Sequence, residues 1–513
     1  MKGTLTANKK EIAAYFLPFL LALIFLLAAN GSKADVFCFV AFASTIFLFC
    51  VLTALRVLFH QENMPIHKVY LVWSLAFGTV FTLAIPTYMT PDEPSHLYTA
   101  YAVSNRMLRI ENVPSIKIRA CDRDAGANGI FSVNIAPSPE IREHYNMYYK
   151  SMPDLFADDP ELVDTGVQPL GADPYMYAMP ALGITIGRLL GLGTVPTYLL
   201  GTLFNLILYV FMTTAAIYFI PMGKEILFTL ALMPIVLQQC ASFSYDCFII
   251  SFSFIVTALS FLLLKRLKCG DGPVGRLLLF WGMATALLVP AKYCMCAPLF
   301  LFSVPMYRQA RDIKSRRQVA LASMLVLLFV ASYMTLRYIK KGFLHPASWA
   351  GYDLLYVVTH PKKIIRMCFN TVRSYGDFHL LSFLGNRMGW LNITPPVFIV
   401  LGYIFCLLVA HGRKGDTDAF VGTEERLSCY AMLLMLVAIP FAAMLLIWTP
   451  AESFLIEGVQ GRYFVSCVLL FLLTLKKSSV SFSASVSGRL TTLVPLLNII
   501  YLTFLWSFIA QPY

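Results

Sequence analysis

Apolar residues occur in long runs along most of the chain, and polar residues concentrate in the connectors between them. Runs of roughly 17 to 25 apolar residues have the length that a helix needs to cross the hydrocarbon core of a membrane. The pattern predicts thirteen such helices, at residues 12–29, 36–58, 69–88, 195–219, 225–241, 245–264, 277–291, 293–307, 318–337, 393–411, 428–448, 462–475 and 489–509. The apolar segment 175–191 is short and bounded by proline and glycine, which favours a re-entrant or interfacial helix.

Two long polar segments interrupt this pattern and divide the chain into parts. The parts are three N-terminal spans (1–88), a first polar segment (89–174), a central membrane bundle (175–337), a second polar segment (338–392) and C-terminal spans (393–513). The first polar segment carries 13 of the 28 acidic residues. We therefore expect an all-α polytopic membrane protein with a large loop after the third span.

Composition supports the membrane assignment, and the charge distribution predicts its orientation. Hydrophobic residues make up 58% of the chain and charged residues only 13%, about half the share found in soluble domains. The net charge is +12, and basic residues gather in short connectors, at 265–268, at 308–317 and at Arg413 and Lys414. Basic connectors are typical of the cytoplasmic side, so we expect a cytoplasmic N-terminus and both long polar segments outside. Because basic residues and aromatic residues do not alternate outside the spans, we expect no binding of nucleic acid.

The first candidate for chemistry is the motif at residues 90–98, directly after the third predicted span. It contains the adjacent carboxylates Asp92 and Glu93, and His96 follows four residues after Asp92. If a helix starts near Pro94, Asp92 and His96 face the same side. A carboxylate here can accept a proton from a hydroxyl group or bind a divalent cation. The alternative is that Asp92 caps the helix and Glu93 stabilises its positive end.

The second candidate is the segment 242–246, which ends in Tyr245 and Asp246 at the predicted outer end of a span. An ionisable residue near membrane depth is costly, so we expect a partner or a role for Asp246; the alternative is a helix cap. Lys292 lies at another predicted outer turn. It can pair with Asp246, bind a phosphate group, or extend its amine to the membrane surface.

Two further segments contain arginine next to aromatic residues. Residues 457–464 include Gln460 and, directly after Gly461, Arg462, whose guanidinium group is well suited to bind phosphate. Residues 386–390 include Arg387 and Trp390, which can bind phosphate and stack on a sugar. For both segments the alternative is an anchor at the membrane interface, where basic and aromatic residues are common.

In this topology the charged candidates all fall on the extracytoplasmic side. They are Asp92, Glu93, Asp246, Lys292, Arg387 and Arg462. Acidic and basic residues that converge on one membrane face indicate a single site that is open to a phosphate carried by a lipid.

At these residues the sequence resembles the bacterial membrane family called domain of unknown function 2142. The motifs that carry the resemblance are residues 91–100, 237–246 and 458–464, with weaker matches at 174–180, Lys292, 370–371 and 385–390. Together they span about residues 90–465. The family is in turn similar to the C-type (GT-C) glycosyltransferase superfamily. This chain differs from many superfamily members in having two spans before the span that leads into the acidic motif.

The resemblance implies a membrane enzyme that moves a sugar from a polyprenyl phosphate donor to a cell-surface glycan. The reaction would occur on the outer face of the inner (cytoplasmic) membrane. By this analogy Asp92 or Glu93 is the general base, and Arg462, with Lys292 or Arg387, holds the donor phosphate. We also assign substrate binding to His96, Tyr245, Asp246, Trp390 and Gln460. If a divalent cation such as Mg²⁺ or Mn²⁺ takes part, Asp92 and Glu93 are its candidate ligands.

The main alternative is a transporter or flippase of lipid-linked glycan intermediates. Such a protein is expected to carry ionisable residues in the middle of its spans and often has duplicated halves, and neither feature is evident. A polymerase or ligase of glycan chains differs from the favoured function in the length of its donor. A non-enzymatic scaffold or sensor would not depend on the carboxylates.

Overall fold

The structure is a computed structural model that is mostly α-helical. It describes residues 2–31, 35–62, 64–127, 139–152, 154, 156, 158–270, 272–342, 346–412, 421–476, 482 and 489–510. Its helices are α1 (Lys2–Asn30), α2 (Val36–Glu62), α3 (Ile66–Ala84), α4 (Glu93–Met107), α5 (Ala120–Ala127), α6 (Pro139–Lys150), α7 (Ala178–Leu189), α8 (Thr194–Phe219), α9 (Lys224–Ala231), α10 (Pro234–Cys240), α11 (Asp246–Cys269), α12 (Gly275–Leu288), α13 (Ser303–Gln309), α14 (Ile313–Lys341), α15 (Leu354–Thr359), α16 (Pro361–Phe383), α17 (Val397–His411), α18 (Thr423–Ile447), α19 (Val465–Leu475) and α20 (Leu490–Ala510). Strands β1 (Lys117–Arg119) and β2 (Leu162–Asp164) pair antiparallel.

The predicted all-α polytopic architecture is confirmed in outline, but the count of thirteen spans is not. Among the described residues, seven helices are long and apolar enough to cross a membrane: α2, α3, α8, α11, α14, α18 and α20. Four shorter apolar helices accompany them, at Tyr15–Asn30, Gly275–Leu288, Val397–His411 and Gly461–Leu475.

Two segments predicted as continuous spans are broken in the structure. Residues 225–241 form α9 and α10, with Met233 in an extended conformation between them, because proline disfavours a helical conformation in the residue before it. Residues 293–307 form short 3-10 turns, at Lys292–Cys294 and Ala297–Phe302, followed by α13. The segment 175–191 contains most of a 3-10 turn (Pro174–Tyr177) and the 12-residue helix α7, which agrees with its prediction as something other than a full span.

The first polar segment folds against the membrane bundle as a compact unit. It contains α4, α5, α6 and the two strands. Arg119 on β1 holds the segment together, because its guanidinium pairs with Asp122 at 2.9 Å and Asp158 at 2.7 Å. The same group donates to the carbonyl of Leu192 and the hydroxyl of Thr197, next to and within α8. The predicted loop is therefore a docked domain.

The second polar segment contributes α15 and α16, and α16 is amphipathic. Its buried face includes Met367 and packs against Ile456 and neighbouring residues. The exposed face carries apolar side chains, including Ile365 and Phe369, beside basic residues such as Arg366. This arrangement is typical of helices that lie in a membrane interface.

Helix α11 lies at the centre of the bundle. In its most apolar stretch 89% of the residues are buried inside the protein, whereas the corresponding value for α14 is 11%. The first residue of α11 is Asp246. The architecture therefore places a carboxylate at the end of the most enclosed helix, where the turns after α3 and before α19 also meet.

Candidate functional site

Four charged side chains from distant parts of the sequence form one continuous chain of ion pairs. Arg462 Nη2 donates to Asp92 Oδ2 at 3.0 Å, and Arg462 Nε lies 3.2 Å from Asp246 Oδ2. The other oxygen of Asp246 accepts from the amine of Lys292. Pairing with Asp246 was one of three predictions for Lys292, and this one is confirmed.

The four side chains differ sharply in exposure. Those of Lys292, Asp246 and Arg462 are 7%, 8% and 4% exposed, whereas that of Asp92 is 56% exposed. Removing charged groups from water is costly even when they are paired. Buried charges at the ends of apolar helices therefore mark a candidate functional site, and Asp92 is the exposed member of the group.

Asp92 occupies the residue before α4, but its side chain does not cap the helix. It makes no capping hydrogen bond and instead pairs with Arg462. Its backbone is left-handed, with φ of 65°, a conformation that aspartate tolerates better than most residues do. The interpretation of Asp92 as a helix cap is therefore wrong.

Strained backbone is concentrated around this cluster. Six non-glycine residues with positive φ surround it: Tyr88, Asp92, Lys292, Tyr293, Cys294 and Leu391. Such conformations cost about 1–3 kcal/mol each and cluster at active sites and ligand-binding sites. The backbone geometry therefore points to the same place as the buried charges.

Glu93 has a different environment from its neighbour Asp92. Its buried carboxylate accepts from the backbone N–H of Thr90 at 3.0 Å and of Phe243 at 3.1 Å. Burial raises the pKa of Glu93 to about 7, although the backbone donors act to lower it. Glu93 thus links the start of α4 to the turn before α11, which is the contact of a positioning residue.

Aromatic rings enclose the basic end of the cluster. The amine of Lys292 lies 4.1 Å from the ring centroid of Tyr463 and 5.0 Å from that of Tyr245, distances at which a cation is attracted to a ring face. His96 packs edge-on against Tyr245, and its Nδ1 lies 2.7 Å from the hydroxyl oxygen of Tyr177. Burial lowers the pKa of His96 to about 4, so its ring is neutral near pH 7.

The remaining predicted residues lie on the other side of Arg462. Trp390 donates its indole N–H to the carbonyl of Tyr88 at 2.8 Å, which fixes the segment 385–391 beside the acidic motif. Arg387 donates to Thr394 Oγ1 at 3.0 Å. Arg387 and Gln460 both line a cleft that also includes Arg462.

Arg462 lies between two cavities of different character. We call the first the inner pocket; beside Asp246, Lys292 and Arg462 its lining is largely apolar and includes Ile249, Ile250, Met295, Leu436 and Pro440. We call the second the polar cleft; it is lined by Pro91, Ile235, Gln238, Gln239, Ser382, Arg387, Gly389, Leu391, Gln460, Gly461 and Arg462. Arg462 thus borders an apolar cavity and a polar cavity, of about 20 Å³ and about 10 Å³. Each has room for about one or two water molecules, so a larger ligand must widen them.

Sequence reasoning missed several residues of the site. Tyr177 contacts His96, and Tyr88 supplies the carbonyl that holds Trp390. Gln239 lies within the motif at residues 237–246. Because it is uncharged and stands in an apolar run, its sequence context does not indicate a role.

The site offers no evident metal centre within the described part of the chain. Asp92 pairs with Arg462 and Glu93 accepts from backbone N–H groups, so the two carboxylates have different partners. Among the described residues, no group of three or more His, Cys, Asp or Glu side chains is arranged to hold a metal ion.

Comparison with protein families gives one match. The family model described as "Predicted membrane protein (DUF2142)" matches residues 75–471. Comparison with curated proteins and with solved structures finds no match. The family resemblance inferred from the motifs is confirmed, while its link to the GT-C superfamily remains a prediction.

Proposed function

The chain belongs to the DUF2142 family of predicted membrane proteins, and from its site we propose that it is a glycosyltransferase. It moves a sugar from a polyprenyl phosphate donor to a cell-surface glycan, on the extracytoplasmic face of the inner membrane. The observation that carries this proposal is the position of Arg462 between the inner pocket and the polar cleft. A polyprenyl phosphate sugar has an apolar chain, a phosphate and a polar sugar in this order, which corresponds to the inner pocket, Arg462 and the polar cleft.

The donor phosphate is held by Arg462 and Lys292. Arg462 Nη1 is buried and has no hydrogen-bond partner among the residues that the structure describes. An arginine fork matches phosphate oxygens well, and charge-assisted hydrogen bonds of this kind are stronger than neutral ones. The first part of the polyprenyl chain lies in the inner pocket, against Ile250 and Leu436.

Asp92 acts as the general base in this proposal. Its exposed carboxylate accepts the proton of the acceptor hydroxyl, and the hydroxyl oxygen forms a bond to the anomeric carbon of the sugar. The bond from that carbon to the phosphate oxygen breaks, and polyprenyl phosphate leaves with the bonding electron pair. Arg462 stabilises the charge on the leaving phosphate. Glu93, buried against backbone N–H groups, positions Asp92 and is not the base.

The test is complementation in a host from which this gene is deleted. Asp92→Asn keeps the shape of the side chain but cannot accept a proton, so activity should fall by about 10²–10⁴-fold. The surface glycan should then lack one sugar, and its polyprenyl-linked donor should accumulate. Glu452→Gln also converts a carboxylate to an amide, at an exposed position, and should restore the glycan.

Two results would contradict the proposal. If Asp92→Asn, matched for its level in the membrane, restores the glycan fully, Asp92 is not the base. If the purified protein in sealed lipid vesicles moves a lipid-linked glycan across the bilayer and forms no glycosidic bond, the transporter alternative is correct.

A further inference from the structure

Gln239 is a residue of the polar cleft whose side-chain amide has no hydrogen-bond partner among the described residues. It lies on α10 and is 1% exposed. Both its amide oxygen and its amide nitrogen are buried without a hydrogen-bond partner in the described part of the protein. Leaving a buried polar atom unpaired costs about 1–3 kcal/mol. We therefore expect the amide of Gln239 to form hydrogen bonds with a bound molecule or with water.

The neighbouring residue Gln238 shows how a glutamine on this helix is normally satisfied. Its amide oxygen accepts from the N–H of Gly389 at 3.0 Å, and its amide nitrogen donates to the carbonyl of the same residue at 3.2 Å. Gln238 therefore holds the segment 385–391 in place. Gln239 lines the same polar cleft and makes no comparable contact in the described structure.

Two other side chains of the polar cleft also carry a buried polar atom without a hydrogen-bond partner among the described residues. Gln460 Oε1 and Arg462 Nη1 are buried without partners among the described residues, and both side chains line the polar cleft. The cleft thus presents an amide that can donate and accept, a second amide oxygen and a guanidinium N–H. Its lining includes no carboxylate.

We propose that Gln239 recognises hydroxyl groups of the donor's sugar in the polar cleft. A hydroxyl both donates and accepts a hydrogen bond, which matches the two unpaired atoms of one amide. The inference rests on the proposed function, since it places the sugar on the cleft side of Arg462 when the lipid chain lies in the inner pocket. Gln239 is then a specificity residue that distinguishes sugars by the position of a hydroxyl, while Arg462 binds the phosphate common to all donors.

The experiment compares two synthetic probes on purified full-length protein in lipid nanodiscs. The first probe is farnesyl phosphate, which has no sugar. The second is the tightest-binding member of a set of farnesyl phosphate esters of glucose, mannose, galactose and arabinofuranose. Two neutral hydrogen bonds correspond to about 5- to 150-fold in affinity, so the ester should bind wild-type protein at least about fivefold more tightly than farnesyl phosphate.

Gln239→Met keeps the length of the side chain and removes both polar atoms. We expect the advantage of the ester to fall below about twofold, with the affinity for farnesyl phosphate unchanged. The thermal stability of the free protein should stay the same or increase, because an unpaired buried amide is removed. Gln168→Met makes the same change at an exposed residue of the first polar segment and should leave both affinities unchanged.

The outcomes separate this inference from the proposed function. If farnesyl phosphate binds but the ester has no advantage, or if Gln239→Met keeps that advantage, Gln239 does not read the sugar and the inference is wrong. If Gln239→Met lowers stability and leaves both affinities unchanged, Gln239 is a structural residue that bonds to buried water. If farnesyl phosphate itself does not bind the wild-type protein, both the proposed function and this inference fail.

Discussion

At the scale of single residues, two adjacent carboxylates have opposite surroundings. Asp92 is exposed and pairs with Arg462, whereas Glu93 is buried and accepts from two backbone N–H groups. Neighbouring carboxylates in different environments commonly serve different purposes, because burial and partners set their protonation. The sequence alone treats Asp92 and Glu93 as equivalent, whereas the structure gives them different exposure and different partners, on which the proposed difference in their roles rests.

The raised pKa of Glu93 predicts how stability depends on pH. An unfolded glutamate releases its proton near pH 4.5, but folded Glu93 keeps it until about pH 7. Folding therefore takes up a proton in this range, and the contribution of Glu93 to stability falls as pH rises through it. Glu93→Gln lacks this effect, so the melting temperature of wild type minus that of the variant should decrease between about pH 5 and about pH 8.

Thermal unfolding of both proteins in the same detergent measures this difference. The lowered pKa of His96 acts in the opposite direction, since stability from a neutral buried histidine is lost as pH falls below about 6.5 towards 4. That effect is present in both proteins and cancels in the subtraction. A difference in melting temperature that does not change with pH would mean that Glu93 titrates normally.

At the scale of structural elements, the end of α16 meets the turn that carries Arg462 at Gly461. A Cβ atom on Gly461 would lie 2.3 Å from the backbone nitrogen of Phe383 and 2.5 Å from the carbonyl oxygen of His379. Those atoms belong to a helix backbone and cannot move aside separately. The close approach of the two elements therefore requires glycine at this position.

Gly461→Ala should move α16 and the arginine turn apart. We expect a loss of about 1–3 kcal/mol in stability, the usual cost of overpacking, together with reduced complementation because Arg462 shifts. Gly376→Ala is the control on α16, the helix that Gly461 contacts. There the nearest atom to a new Cβ is 4.0 Å away. The control should be neutral or stabilising by up to about 1 kcal/mol. Equal stability of Gly461→Ala and wild type, measured by thermal unfolding, would disprove the constraint.

At the scale of the whole molecule, several contacts attach the first polar segment to the membrane bundle, and the buried Arg119 takes part in one of them through Leu192 and Thr197. The side chains of Arg119 and Asp122 are 3% and 0% exposed. Asp122 also accepts from the hydroxyl of Tyr101 on α4, the helix that begins beside Asp92. The docking of this segment and the position of the acidic motif are therefore connected through the same charged group.

Removing Arg119 should destabilise the first polar segment and loosen its contact with α8. Arg119→Met leaves the buried carboxylate of Asp122 without its cation, which typically costs about 3–5 kcal/mol. Limited proteolysis of the full-length protein in detergent should then cut within residues 89–174 faster, and the melting temperature should fall. Arg123→Met removes an exposed ion pair with Asp124, a kind worth about 0–1 kcal/mol, and should behave as wild type. Unchanged proteolysis in Arg119→Met would show that other contacts hold the segment.

Much of the architecture could be predicted because it depends on local properties. The length of an apolar run determines whether a helix can cross a membrane, and this quantity is read directly from consecutive residues. Residues such as Asp246 and Lys292 were noticeable for the same reason, since each charge stands beside a long apolar stretch. Two predicted spans were wrong because a break in the helix interrupts each of them. Pro234 divides the span predicted at 225–241, and 3-10 turns divide the span predicted at 293–307.

The sequence by itself therefore determined that this is a helical membrane protein with charged motifs at the ends of several spans. Only the tertiary structure decided which of those charges meet. Asp92 and Arg462 are 370 positions apart, and no local pattern encodes their pairing, because it arises from the packing of helices from both ends of the chain. The different surroundings of Asp92 and Glu93, and the amide of Gln239 that has no partner among the described residues, depend on the same packing, since burial and hydrogen-bond partners are properties of the folded protein.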